Sequence, residues 1–78
     1  MVYNFRFIVK DSNDNIIKSS VESMTFETEV TFHEIAHKLA ESYDNFEVES
    51  CMASGQDVSH TDKLLDDHYF MAITIKLK

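Results

Sequence analysis

Apolar and polar residues alternate strictly at both ends of the chain. The alternating apolar positions are Tyr3, Phe5, Phe7 and Val9 near one end, and Tyr69, Met71, Ile73, Ile75 and Leu77 near the other. Because successive side chains of a β-strand point to opposite faces, this period of two predicts a half-buried strand at each end. Residues 11–15 are a run of Asp, Ser and Asn, which predicts a hairpin leading into a second strand from Ile16.

The second predicted strand changes its apolar face along its length. Ile17 and Val21 share one face, and the later apolar positions share the other. These later positions are Met24, Phe26 and Val30. In a strand with one buried face, the inward residues are either all odd-numbered or all even-numbered. The change of face therefore predicts a β-bulge or a break near residues 19–20.

A helical pattern follows over residues 31–43. Its apolar positions recur three and four residues apart and form one stripe: Phe32, Ile35, Ala36, Leu39, Ala40 and Tyr43. Thr31 is a suitable N-cap, and Glu34 three residues later would complete a capping box. The pattern predicts an amphipathic helix that ends near Tyr43.

A third strand is predicted after Asp44 and Asn45. Its inward positions are Phe46, Val48 and Met52, and its outward positions are Glu47, Glu49 and Cys51. Residues 54–57 predict a turn. Residues 58–67 fit either a short strand at Val58 or a helical turn over 61–67. Cys51 lies beside an acidic residue, which disfavours the thiolate, so we expect no nucleophilic role for it.

The order of elements is strand, strand, helix, strand, an ambiguous segment, and strand. This order predicts one α+β domain over residues 1–78, with the helix packed on a four- to five-stranded, mostly antiparallel sheet. Two topologies satisfy it: an antiparallel sheet crossed by the helix, or a β-grasp in which the first and last strands pair in parallel. The order and length resemble a ubiquitin-type fold, but residues 75–78 contain no Gly-Gly tail, so conjugation is not expected.

Composition narrows the functional classes. The chain has 78 residues and a net charge of −7, which argues against direct binding to nucleic acid or to an anionic membrane. Residues 1–6 do not resemble a signal peptide, and no stretch has the roughly 20 apolar residues of a membrane helix. Cys51 is the only cysteine. We therefore expect a soluble cytoplasmic protein without a disulfide.

The string His33-Glu34-Ile35-Ala36-His37 matches the H-E-x-x-H pattern of zinc metallopeptidases. On a helix, residues four apart point the same way, so both imidazoles could bind one zinc ion while Glu34 activates its water. The pattern therefore raises the hypothesis of a miniature zinc site or peptidase built from His33, Glu34 and His37.

Other features disfavour this zinc site. The residue after the second histidine is Lys38, where these peptidase families usually have an uncharged residue. A catalytic zinc needs a third protein ligand, and the candidates His60 and His68 match no downstream family motif. On a helical wheel the two histidines flank the apolar stripe, as solvent-facing residues do. We therefore expect no catalytic residue, no cofactor and no metal, with zinc as the alternative.

Negative charge is concentrated between residues 27 and 49. Lys38 is the one base there, and the acids are Glu27, Glu29, Glu34, Glu41, Asp44, Glu47 and Glu49. If Glu27 and Glu29 share one strand face and Glu47 and Glu49 another, their carboxylates form rows that could enter a basic groove. A second feature is apolar residues at outward positions of the first and last strands, namely Val2, Ile8, Phe70 and Ala72.

The favoured hypothesis is a non-enzymatic protein–protein interaction module. It would act as an inhibitor that presents its carboxylates to the basic, nucleic-acid-binding surface of another protein. The predicted contact residues are Glu27, Glu29, Glu41, Asp44, Glu47, Glu49 and, as an apolar anchor, Phe70. Small, acidic, glycine-poor chains of this kind resemble phage-encoded antagonists of host defence, such as anti-CRISPR proteins, which act in the host cytoplasm. A homo-oligomer formed through an exposed strand edge is a third hypothesis.

Overall fold

In the part of the chain that the structure describes, one helix packs on a five-stranded sheet. A computed structural model describes residues 2–53, 55–59 and 71–78. Its elements are β1 (Val2–Lys10), β2 (Ile16–Thr25), α1 (Phe32–Glu41), β3 (Phe46–Ala53), β4 (Gln56–Asp57) and β5 (Met71–Leu77). The predicted α+β class and order of elements are confirmed. Among the described residues, no helix is long and apolar enough to cross a membrane.

The strands lie in the order β2-β1-β5-β3-β4. β1 pairs antiparallel with β2 and parallel with β5, and β3 pairs antiparallel with both β5 and β4. Of the two predicted topologies, the β-grasp arrangement is therefore the observed one. It places the two most strictly alternating strands side by side at the centre, where their apolar positions share one face of the sheet.

The core lies between this shared face and α1. Tyr3, Phe5, Phe7 and Val9 of β1 and Met71, Ile73 and Ile75 of β5 are each at most 2% exposed. The apolar stripe of α1 covers this face, and Phe32, Ile35 and Ala36 are buried in it. The inward positions predicted for Tyr3 to Val9 and for Met71 to Ile75 are confirmed.

The β1–β2 hairpin is closed by the side chain of Asp11. Its carboxylate accepts hydrogen bonds from the backbone N–H groups of Asn13 and Asn15, both at 2.9 Å. These bonds, with the backbone bond from Asn15 the largest contribution, lower the pKa of Asp11. Asp14 has φ = 70°, a left-handed conformation that Asp tolerates. The predicted turn at residues 11–15 is confirmed.

The irregularity predicted near residues 19–20 of β2 is wrong. Residues 19 and 20 pair with β1 in an unbroken register. The register shifts between Val9 and Lys10 of β1, where β2 has one extra residue, Ile17. Ile17 and Val21 are about 60% exposed. β2 is an edge strand that lies beyond the part of the sheet packed against the helix. Its apolar residues therefore do not all have to point to one buried face.

A β-bulge also changes the parity of β3. The register against β5 shifts between Val48 and Ser50, so Glu49 is an extra residue. As a result Cys51 is fully buried and Met52 is 37% exposed. The predictions that Met52 points inward and Cys51 outward are wrong, because one inserted residue turns every later side chain to the other face.

The segment between β2 and α1 is a loop. Glu27 and Glu29 therefore do not share a strand face. Val30 is buried, but it belongs to the loop and not to a strand. Thr31 caps the helix as predicted, since its Oγ1 accepts a hydrogen bond from the backbone N–H of Glu34 at 3.1 Å. The helix ends at Glu41, two residues before the predicted end.

Other predictions concern the segment from residue 54 to residue 70. Gly55 has φ = 78° and forms the predicted turn, while Gln56–Asp57 pair with β3 instead of continuing the turn. Val58 is buried after that pair. The alternative of a helical turn over 61–67, and the residues Tyr69 and Phe70, lie outside the described residues.

Truncation of a buried central side chain tests this packing. Ile73→Ala removes a fully buried side chain next to β1, and we expect it to lower the free energy of unfolding by about 2–5 kcal/mol. Ile16→Ala is a matched control, because Ile16 is 59% exposed; its cost is expected to be below about 1 kcal/mol. Urea denaturation measures both, and equal losses would contradict the described core.

Candidate functional site

A groove lies between the C-terminal end of α1 and the start of β3. It has a volume of 410 Å³. Three acidic residues line it: Glu41 on the last turn of the helix, Asp44 in the following turn and Glu47 on β3. The structure thus brings together three of the predicted partner-binding residues around one concave site.

The chain reversal between α1 and β3 produces this groove. Ser42 ends the helix, with its Oγ donating to the carbonyl oxygen of Leu39 at 2.6 Å. Asn45 then adopts a left-handed conformation with φ = 66°, which turns the chain into β3. The backbone N–H of Lys78 donates to the Asn45 carbonyl at 2.8 Å, so the end of the chain holds the turn in place.

The charge around the groove is predominantly negative. Within the described residues, Glu41, Asp44 and Glu47 take part in no ion pair, and all three are exposed. The last carbonyl groups of a helix add partial negative charge at the same end. Lys78 and His37 are the basic side chains in the lining. The groove is therefore able to attract a cationic group from outside.

Apolar residues complete the lining. Tyr43 and Phe46 lie edge to face with 5.6 Å between ring centroids, and Tyr43 also packs on Phe7 at 5.7 Å. Ala40 and Val48 lie beside them. A groove with aromatic and aliphatic walls and acidic residues matches a ligand that has an apolar stem and a cationic head.

Glu49 lies in a different electrostatic environment. Its carboxylate is 2.9 Å from Lys10 Nζ, and the hydrogen bond between them raises the pKa of Lys10. Asp14 joins this cluster at 3.7 Å from Lys10 and 3.1 Å from Lys76, and its bond to Lys76 lowers the Asp14 pKa. Glu49 therefore helps to stabilise the end of the sheet and is already paired.

The remaining predicted partner-binding residues do not join the groove. Glu27 and Glu29 are exposed in the β2–α1 loop, before the N-terminus of the helix, whereas the groove lies at its C-terminus. Phe70 lies outside the described residues. The single acidic face predicted from the sequence is therefore divided among a groove, a loop and a paired cluster.

The two histidines of the H-E-x-x-H string are adjacent on α1. Their ring centroids are 4.0 Å apart. His33 Nδ1 is 3.1 Å from the carbonyl oxygen of Ser59; because a carbonyl oxygen only accepts, Nδ1–H is the donor, and in the neutral ring this leaves the lone pair on Nε2. The described residues contain no group of three or more His, Cys, Asp or Glu placed to hold a metal ion. His60 and His68 lie outside them, and zinc binding by His33 and His37 stays the alternative hypothesis.

Cys51 is buried on the helix side of β3. Burial raises the pKa of its thiol to about 12, and the negative charge of Asp57 acts in the same direction. Asp57 also accepts a hydrogen bond from the Cys51 backbone N–H at 3.2 Å. This environment is the opposite of the one that activates a cysteine nucleophile.

Comparisons with known proteins do not identify a relative. The sequence matches no model of a protein family, and no curated protein or solved structure matches it significantly.

Sequence reasoning missed the groove itself. The pattern assigned Tyr43 and Phe46 to the core and placed Glu47 on a strand face, so it gave no indication of a concave site. The available signal was the spacing of Glu41, Asp44 and Glu47 across one helix-to-strand connection, where a tight turn brings residues three apart to one side. That signal has meaning only once the turn is known.

The buried thiol provides a direct test of this part of the structure. With its pKa raised to about 12 from 9.0, Cys51 has a thiolate fraction on the order of 10⁻⁴ at pH 8, so we expect almost no reaction with Ellman's reagent in the native protein. Denaturation should restore rapid reaction. Ser23→Cys in a Cys51→Ala background is the exposed control and should react at once. Rapid labelling of native Cys51 would contradict the burial.

Proposed function

We propose that this chain is a non-enzymatic interaction module whose acidic groove binds a basic side chain of a partner protein. The observation that carries the proposal is the juxtaposition of Glu41, Asp44 and Glu47 around a groove with apolar walls. Because these acids form no ion pair within the described residues, an incoming cation does not have to displace an existing one.

Arginine or lysine suits this groove better than a small cation does. Either side chain carries an aliphatic stem that packs on apolar surface and a charged head that remains at the polar rim. The ring of Tyr43 adds a surface on which a guanidinium group can stack. Clustered arginine and lysine are typical of surfaces that bind nucleic acid, so occupation of such a surface would inhibit nucleic-acid binding.

Electrostatics would act mainly on the encounter. A chain of net charge −7 accelerates association with a basic surface and rejects acidic ones. Rim ion pairs contribute little affinity each, about 0.2–1 kcal/mol, so apolar contacts in the groove must hold the complex. An origin as a phage-encoded antagonist of host defence, acting in the host cytoplasm, accords with this role and with the small acidic chain.

An arginine-rich peptide is a suitable probe of the groove. We expect the triple variant Glu41→Gln, Asp44→Asn and Glu47→Gln to weaken its binding about tenfold or more, since three charge pairs are lost. Calorimetric titration measures the affinity. The same titration from about 50 mM to about 500 mM salt should show weaker binding as screening increases.

A charge-matched variant separates the groove from net charge. Glu27→Gln, Glu29→Gln and Glu34→Gln remove the same number of charges elsewhere in the segment, and Gln at position 34 is still compatible with the helix cap. We expect this control to lose much less affinity than the groove variant. Equal losses, or binding that does not depend on salt, would reject the groove as the site.

A second candidate function is zinc binding by the helix. It is favoured by one observation: His33 donates Nδ1–H to the Ser59 carbonyl, the outer contact that commonly orients metal-ligating histidines. His33 and His37 would be the ligands, and Glu34 is the residue that would act on bound water in a peptidase.

Zinc addition after chelation tests this candidate. Binding with a dissociation constant below micromolar, together with a higher melting temperature that is lost in His37→Ala, would support it. Lys38→Ala is the control, since it alters the same helix without removing a ligand. Weaker binding, or no shift in melting temperature, would leave the histidines as ordinary helix residues.

A further inference from the structure

Among the described strands, β2 is the longer of the two edge strands of the sheet. It pairs with β1 on one side, and no other strand of the described residues lies on its opposite side. The other edge strand, β4, has two residues, whereas β2 has ten. Backbone N–H and C=O groups along a long edge can pair with a further strand, so β2 is the edge that could extend the sheet.

The side chains of β2 are unusually apolar for an exposed edge. Ile16, Ile17 and Val21 are 59–61% exposed, and they are three of the five most exposed large hydrophobic residues in the described structure. The extra residue at Ile17 places two isoleucines in succession at one end of the strand. Contact with a second apolar strand would remove this surface from water.

β2 is also electrically neutral in a strongly acidic protein. Its charged residues are Lys18 and Glu22, and they balance each other. The acids of the groove lie on the last turn of α1, on the turn after it and on β3, which is not a neighbour of β2 in the sheet; Tyr43 is the lining residue that reaches β2, where its hydroxyl accepts a hydrogen bond from Lys18. Two copies that approach through β2 therefore meet at a neutral strand, which limits the repulsion between chains of net charge −7.

We propose that two copies of the chain pair through β2, antiparallel, about a two-fold axis beside Ser20. In this register Lys18 of each copy lies directly opposite Glu22 of the other, so the pairing is self-complementary. On the other face, Val21 lies diagonal to Ile17 of the second copy, within contact range of side chains of this size. The two sheets become one continuous ten-stranded sheet.

The side chains of Lys18 and Glu22 are accessible for ion pairs with a second copy of the chain. Lys18 and Glu22 are 3.9 Å apart within one chain and remain 44% and 39% exposed. Lys18 Nζ also donates to the hydroxyl of Tyr43 at 3.3 Å, and an ammonium group has three protons to share. A strand edge buries less area than a stable dimer needs, so dissociation constants on the order of 10–100 μM are expected.

Complementary charge reversals test the register. In Lys18→Glu and in Glu22→Lys, the homodimer places like charges opposite each other twice, so each variant alone should dimerise at least tenfold more weakly than the native chain. When the two variants are mixed, each reversed residue faces an opposite charge on the other copy. We expect the mixture to recover dimerisation, which sedimentation equilibrium measures. Lys38→Glu makes the same change in net charge as Lys18→Glu and should dimerise about as well as the native chain.

The backbone hydrogen bonds between the two β2 strands can be tested separately from the charge pairs. Hydrogen exchange of the β2 amides should slow as protein concentration rises, whereas that of the exposed loop at residues 27–29 should not. A native chain that stays monomeric up to millimolar concentration would overturn the proposal. So would a dimer that survives both single reversals, because it would use another surface.

Discussion

The parallel pairing of β1 with β5 is the contact on which the rest of the structure depends. It joins the two ends of the chain and aligns Phe5, Phe7, Ile73 and Ile75 on one face, each at most 1% exposed. A chain of 78 residues without a disulfide must bury enough apolar surface to be stable, and it has few other ways to do so. The other elements are arranged around this pair: β2 and β3 flank it, β4 extends the sheet beyond β3, and the helix covers it.

The acidic groove is a consequence of that arrangement. β5 holds β3 on its other side, so the connection from α1 must reverse tightly at Asn45, and the end of the chain supports the turn. The acidic residues of that connection cannot enter the core because ionised carboxylates are costly to bury. They therefore gather at the mouth of the space between helix and sheet, with the aromatic residues of the same connection beneath them.

Two inserted residues decide what the sheet presents to solvent. The extra residue Glu49 directs Cys51 into the core, where its thiol is buried. It also lets Glu49 pair with Lys10 on the face of the sheet opposite the helix. The one at Ile17 leaves two isoleucines exposed on an edge strand. The described surface therefore has an acidic groove at the C-terminal end of the helix and a neutral edge strand with exposed apolar residues.

The sequence by itself determined the class of fold, the cap at Thr31, the apolar stripe of α1 and the inward residues of β1 and β5, because these follow from local periodicity and backbone chemistry. It also indicated the acidic residues as the feature of interest. Only the tertiary structure decided the parallel pairing, the faces of Cys51 and Met52, and which acids share a groove and which are already paired. Strand register, bulges and ion pairs join residues distant in the chain, and the free energies that select among them come from packing that periodicity does not encode.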